Sequence, residues 1–191
     1  MEPKYFAHQS ASIDDGSEIG EGTKIGHFIH IICNCCIGIN CNIGQNVVVS
    51  SNVILGDNVR MQNNVSIYEG VTCEDDAFIG PSVVLTNVTN PRSAVNRKEE
   101  FKTTLIKRGA SIGANATLVC GNTLGNYCFI GAGAVVIKDV PNYAIIIGNP
   151  GRQKGCMSEH GQNLKFDEQG YTVCPATQDA YRLSNGVVTK I

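Results

Sequence analysis

Tryptophan is absent from this 191-residue chain, and aromatic residues make up only 6% of it. A core built around large rings is therefore not expected; layers of smaller aliphatic side chains are. No run of about 20 apolar residues occurs, so no transmembrane helix and no membrane partner are expected. The N-terminus, MEPKYFAHQS, lacks the apolar centre of a signal peptide, which points to a cytoplasmic protein. The net charge of −2 provides no basic footprint for nucleic acid. Cysteine is the exception to this sparseness, at nine residues. Without a signal peptide disulfides are not expected. The cluster Cys33-Asn34-Cys35-Cys36 has no second CxxC pair at finger spacing, so no metal is expected either.

Neither the helical period of 3.6 nor the plain strand period of 2 dominates the sequence. A period of six does. Aliphatic or similar residues recur at Ile13, Ile19, Ile25, Ile31, Ile37, Ile43, Val49, Leu55, Met61, Ile67, Cys73, Ile79 and Leu85. They resume, shifted by three, at Ile106, Ile112, Leu118, Leu124, Ile130 and Val136. Four places after each stands a small or β-branched residue, including Cys35, Cys41, Val47, Val53, Val59, Ala110, Ala116 and Cys128. One place earlier comes Gly, Asn or Asp: Gly16, Gly22, Asn34, Asn40, Asn46, Asn52, Asn58, Asn64, Gly70, Asp76, Gly109, Asn115, Gly121 and Gly133. These residue types tolerate positive φ most cheaply. Each six-residue piece is thus read as one short strand and one sharp corner, and the whole as a repeat stack. Cysteines in the interior slots are read as small hydrophobes.

Residues 1–12 are a lead-in. The repeat domain runs over 13–153 and is interrupted by the polar, charged stretch TNVTNPRSAVNRKEEFKTT, 86–104. A long loop inside a compact repeat is usually functional. Residues 154–191 form an appendage, with a short helix expected over 154–163 and a hairpin turning at Asn185-Gly186.

Repeats of the form [LIV]-G-x-N/G-x-x resemble the left-handed parallel β-helix acyltransferases, in which three hexapeptides make one triangular coil. KDVPNYAIIIGNPGRQ, 138–153, resembles the exit of that family, beside which coenzyme A binds. The blocks QNNVSIYEGVT (62–72), GPSVVLTNVTNPRS (80–93), KRGASIGANATLVCG (107–121) and MSEHG (157–161) are similar to a narrower group. These are the bacterial N-acetyltransferases that act on nucleotide-linked 3-amino sugars, above all on UDP-2-acetamido-3-amino-2,3-dideoxyglucuronate, in surface-polysaccharide synthesis. Departures are modest: Gly151 stands where the exit usually has alanine, and Gly155-Cys156 where a Gly-Trp pair is usual. The resemblance implies an all-β helix, acetyl-CoA as co-substrate, no metal, a nucleotide-sugar substrate, and a homotrimer with sites between subunits. It also implies coenzyme contacts near Gly113, Gly131 and Ala132, and a sugar amine held by Asn87.

The chemistry agrees from a different direction. An acetyl thioester is already activated, so holding it beside a nucleophile accelerates transfer. A hydroxyl acceptor needs a base, commonly histidine. The chain has only His8, His27, His30 and His160, none in the excursion or the rungs after it. That favours an amine acceptor, although His27 or His30 can still approach across a subunit boundary. Asn87 is not in a corner slot, so corner geometry does not account for it. Gln62, Asn63, Tyr68 and Glu69 depart from the Gly-rich second slot and are candidate sugar contacts, as is Asn90. Arg92 suits a carboxylate or diphosphate, though a loop ion pair would account for it equally. His27 and His30 are candidates for the nucleotide, and Lys138, Arg152 and Lys154 for the coenzyme phosphates. Competing readings are another acceptor on the same fold (a dTDP-3-amino-6-deoxyhexose, or serine), a γ-type carbonic anhydrase and a non-catalytic scaffold. The carbonic anhydrase lacks its third histidine here, and the intact exit and long loop argue against a scaffold.

Overall fold

The computed structural model describes residues 4–191. Among them there is no α-helix, only a three-residue 3-10 turn at Lys98–Glu100. Two-residue strands such as Lys24–Ile25, His30–Ile31 and Cys36–Ile37 follow one another round three faces. Each pairs in parallel with the strand 18 residues on, as Lys24 with Asn42 and His30 with Val48. Three hexapeptides therefore close one coil. Face 1 carries eight parallel strands, face 2 seven and face 3 six, which makes a β-helix of about eight turns.

The alternation seen in the sequence becomes an inside and an outside. In each two-residue strand the second side chain points inward; Ile25, Ile31, Ile67, Ile79 and Ile130 have no measurable exposure. Burying such a side chain contributes about 1.5–3 kcal/mol. The small slot fills the rest: Cys35, Val47, Val53, Val65, Ala110, Ala116 and Ala134 are equally buried. Thr23 also sits there, its hydroxyl donating to the Gly38 carbonyl at 2.8 Å and accepting the Cys41 N–H at 2.9 Å. The nine cysteines are free; Cys36 is exposed, Cys33 half-buried, and the others buried.

All of the corner residues named above have positive φ, for example Asn40 at 55°, Asn46 at 56°, Asn52 at 62° and Asn58 at 55°. Their carboxamides link coils: Asn46 Nδ2 donates to Asn64 Oδ1 at 2.9 Å, and Asn58 Nδ2 to Asp76 Oδ1 at 2.8 Å. Four further residues occupy the same slot at positive φ: Phe28, Ser82, Tyr127 and Tyr143. The sequence did not mark them, since none is Gly, Asn or Asp.

Two boundaries differ from expectation. The stack begins earlier than residue 13, because Phe6–Ala7 already pairs in parallel with Lys24–Ile25. The helix expected over 154–163 does not exist. Arg152–Met157 is instead a strand, antiparallel to Ala144–Ile147, and Asn163–Leu164 pairs antiparallel to it in turn. The open end of face 1 offers unpaired backbone groups, and pairing them outweighs the weak helical preference of a short segment. A boundary at 153/154 therefore falls inside a strand. Beyond it, Tyr171–Val173, Ala180–Ser184 and Val187–Lys190 form a separate antiparallel sheet. Its hairpin turns at Asn185 and Gly186, both at positive φ, as the Asn-Gly pair requires.

Candidate functional site

The excursion leaves the helix at the corner between faces 2 and 3. Strand partners across it are 33 residues apart, as Phe78 with Ser111, where the regular spacing is 18. It therefore adds 15 residues to one coil without disturbing the register above or below. Its neck is tied. The Asn87 carbonyl accepts the Lys102 N–H at 2.9 Å, the Thr86 N–H donates to Leu118 O at 3.1 Å, and the Thr86 hydroxyl accepts the Cys120 N–H at 3.0 Å. Asn87 is half-buried, and its carboxamide makes no hydrogen bond to any described residue. A fixed backbone thus presents an unused donor and acceptor where the long excursion breaks the repeat.

Register decides which of the expected residues meet. Ser66 pairs with Val84, Val84 with Thr117, and Thr117 with Val135. Three residues further on, Glu69, Asn87, Cys120 and Lys138 form one column along the 2/3 corner. Tyr68 lies beside it, and Asn90 and Arg92 stand on the loop. Both loop residues are exposed, and the Arg92 guanidinium donates to the Pro91 carbonyl at 3.1 Å. Glu69 accepts from Asn52 Nδ2 at 2.7 Å.

The remaining residues line a different edge, the 1/2 corner: His27, Gln62, Asn63, Gly113, Gly131 and Ala132. Asn63 Oδ1 accepts the Gln45 N–H at 3.0 Å. Gly113 and Gly131 are stacked so tightly that a Cβ on Gly113 would lie 2.5 Å from the Ala132 nitrogen. Their N–H groups donate to Ile130 O and Ile146 O, whereas the Ala132 N–H has no acceptor among the described residues. Between the edges runs a shallow groove on face 2, lined by Asn64, Ser66, Tyr68, Val83, Val84 and Leu85.

The histidines stand apart from Asn87. His27 stacks on His8 with ring centroids 3.5 Å apart, and His30 Nε2 lies 3.0 Å from Asp14 Oδ1. The coil of His30 is three below that of Asn87, roughly 14 Å at the usual strand spacing. Arg152 and Lys154 project, exposed, from the strand that caps face 1. Lys102 and Cys120, which flank Asn87, went unmarked in the sequence; only the register across the excursion brings them there. Among the described residues no cluster of three potential metal ligands occurs.

The hexapeptide repeat of succinyl-transferase matches residues 35–69 and 107–138, the stretches on either side of the excursion. Those two stretches carry the hexapeptide repeat. It is 43% identical over 94 residues to the dTDP-3-amino-3,6-dideoxy-alpha-D-galactopyranose 3-N-acetyltransferase of Aneurinibacillus thermoaerophilus, a match covering 49% of this chain and 47% of that one. The chain thus spans about half the length of that curated relative or less of others it matches. Among solved structures, the acetyltransferase domain of PglB from Neisseria gonorrhoeae FA1090, in complex with acetyl coenzyme A, superposes with a TM-score of 0.55 at 20% identity. That match covers 79% of this chain and 58% of that one. WeeI from Acinetobacter baumannii AYE gives a TM-score of 0.52 at 24% identity, over 78% and 57% of the two chains. These two likenesses establish the fold.

Proposed function

We propose that this protein is an acetyl-CoA-dependent N-acetyltransferase acting on the 3-amino group of a nucleotide-linked sugar. We take the sugar to be UDP-2-acetamido-3-amino-2,3-dideoxyglucuronate, an intermediate of surface-polysaccharide synthesis in the cytoplasm. The observation that carries the reading is Asn87: a free carboxamide on a tied backbone, at the break in the repeat, with His27 and His30 of the same chain out of reach. In the reaction the sugar amine attacks the thioester carbon, the N–C bond forms, the C–S bond breaks, and the amine's proton leaves with the thiolate as the coenzyme thiol. Asn87 Oδ1 accepts a hydrogen bond from the amine and aims its lone pair. The unused Ala132 N–H is a fitting donor for the acetyl group or the coenzyme, Gly113, Gly131, Arg152 and Lys154 extend that surface, and Lys138 would reach the coenzyme from the 2/3 edge of a neighbouring subunit. Arg92 and Asn90 would receive the sugar carboxylate. A dTDP-linked 3-amino-6-deoxyhexose is the second reading, favoured by the substrate named for the Aneurinibacillus relative.

The two edges of face 2 hold complementary halves of this machinery, which supports a homotrimer in which one subunit's 1/2 edge faces another's 2/3 edge. Apart from His30, the outward residues of face 2 (Ser12, Val48, Ser66, Val84, Thr117 and Val135) carry no titratable group, as a surface covered by a neighbour would require.

Turnover of acetyl-CoA against a panel of UDP- and dTDP-linked 3-amino sugars tests the reading. Asn87→Ala should lower kcat by about one to three powers of ten, the scale of a lost positioning contact. His27→Ala and His30→Ala should act mainly on the KM of the sugar nucleotide. A kcat collapse in His30→Ala, with Asn87→Ala near normal, would sink the assignment.

A further inference from the structure

Corner residues at positive φ are Gly, Asn or Asp at all but four corners, and each exception invites a physical account. One of the four, Tyr143 at φ 62°, is buried in the C-terminal core. Ser82 is small, and its N–H donates to Asn63 O at 3.0 Å. Tyr127 at φ 53° is compensated by packing. Its ring covers Gly109, where a Cβ would lie 2.3 Å from Tyr127 Cδ1, and it stacks on Tyr143 at 5.6 Å. Phe28 at φ 54° has no such compensation. It is 69% exposed, more than any other large hydrophobic residue of the described chain, and the aromatic ring nearest its own is that of His27, tilted by 50° at 6.2 Å. Its backbone is nevertheless held, the Phe28 N–H donating to Ser10 Oγ at 2.9 Å. Neither local geometry nor burial selects phenylalanine here.

The neighbouring coil adds a second feature. His30 pairs with Val48, so Phe28 and Asn46 occupy the same slot of adjacent coils. Asn46 Nδ2 donates onward to Asn64 Oδ1 at 2.9 Å, continuing the ladder. Asn46 Oδ1 has no donor among the described residues, and the phenylalanine at the corner below can supply none. The Gln45 carboxamide beside it is likewise unpaired among them. An exposed ring face next to a free carbonyl oxygen and a free amide suits a flat heterocycle that carries both an N–H donor and carbonyl acceptors.

We propose that Phe28 is a nucleobase-stacking platform, flanked by the stacked pair His8–His27, and that Asn46 Oδ1 accepts the imide N–H of a uracil or thymine ring. The inference rests on the nucleotide-sugar reading above and adds to it the residues that select the base. It places the base on the 1/2 edge, on the same coils as His27 and below Gln62 and Asn63. A purine lacks the imide flanked by two carbonyls that this edge matches, and cytosine lacks the protonated N3.

Calorimetric titration with UDP, dTDP and CDP tests it. Wild type should bind UDP or dTDP, and CDP about tenfold more weakly. Phe28→Asn restores the usual corner residue, so it should raise the melting temperature while weakening UDP and dTDP binding by about tenfold, the scale of one lost stacking contact. Phe28→Tyr should retain affinity to within about twofold, and acetyl-CoA binding should be unchanged in both variants. A purely structural phenylalanine would give the opposite stability result. Unaltered nucleotide affinity in Phe28→Asn, or a change in its oligomeric mass by light scattering, overturns the proposal; the latter would make Phe28 a contact between copies. Equal binding of CDP overturns the role of Asn46. If wild type binds none of the three nucleotides, the nucleotide-sugar reading itself fails, and this inference with it.

Discussion

The coils and the C-terminal sheet solve the same problem with opposite means. In the coils, parallel two-residue strands bury one aliphatic side chain each, and the cluster running from Ile25 to Ile146 contains no aromatic residue. In the C-terminal sheet a few large rings do the work: Tyr181, fully buried, and Tyr143 form the centre, with Tyr127 and Phe166 against them. Polar groups are built into that second core. Tyr143 donates to Glu159 at 3.1 Å, burial followed by the charge of Glu159 pushes its phenol well up, and Tyr181 accepts the Glu159 N–H at 3.1 Å. A stack of near-identical coils spreads its stability over many neighbours, each coil leaning on the next. The small sheet concentrates it in a handful of residues, so single substitutions should act very differently in the two regions.

Tyr181→Ala tests that contrast most sharply. It removes the largest fully buried side chain and leaves the Glu159 N–H without its acceptor. The cost should be about 3–5 kcal/mol. It should appear as local opening: amides of 171–173 and 180–190 lose protection from hydrogen exchange, while the coils keep theirs. Loss of protection throughout the coils would show that the two regions form one cooperative unit.

A corner substitution should cost less and reach differently. Asn58→Val forces a β-branched residue to φ 55° and deletes the bond to Asp76. About 2 kcal/mol is expected from the backbone conformation and the lost hydrogen bond together. Asn58→Gly should stay within about 1 kcal/mol, because glycine takes the conformation freely. Equal penalties for the two variants in denaturant titrations would mean that the carboxamide, not φ, matters at the corners.

The same contrast governs how much the sequence discloses. The coils are legible because one physical demand recurs every six residues; Asn40, Asn46, Asn52 and Asn58 each signal a corner at positive φ on their own. Phe28 and Tyr127 escaped, since a corner can be imposed on a residue that would not choose it. The strand at Arg152–Met157 escaped for a related reason: its partner is the open end of a stack, which no local pattern reveals. Of the candidate site, Asn87 stood out by breaking the register. Its neighbours Lys102 and Cys120 did not, because closure of the 15-residue insertion, rather than sequence proximity, brings them together. The division of the expected residues between two edges of face 2 could be seen only once the coils were counted.

The smallest expected effect concerns charge. Lys190 Nζ lies 2.8 Å from Glu159 Oε2 and 3.1 Å from Asp179 Oδ2, tying the last strand of the C-terminal sheet back to the chain before it. The Asp179 carboxyl is held below its ordinary value near 3.8, by the Thr177 hydroxyl first and by Lys190 next. A depressed carboxyl contributes stability that is fully present above the ordinary value and lost as pH falls through the lower, folded one. Hydrogen bonds to Glu159 and Asp179 push Lys190 above its ordinary 10.5, so its contribution is complete below that value and is lost only as pH rises through the higher folded one. At neutral pH both are therefore at their maximum, and acid removes the carboxylate contribution first. Hydrogen exchange on either side of pH 3.8, corrected for the intrinsic rates, should show protection of 180–190 falling while that of 31–79, whose core holds no ionised group, stays level. Because the pairs are partly exposed, added salt should mimic a small part of the acid effect. Equal acid sensitivity in both segments would indicate that the carboxylates stabilise the coils as much as the sheet, and would erase the contrast drawn between the regions.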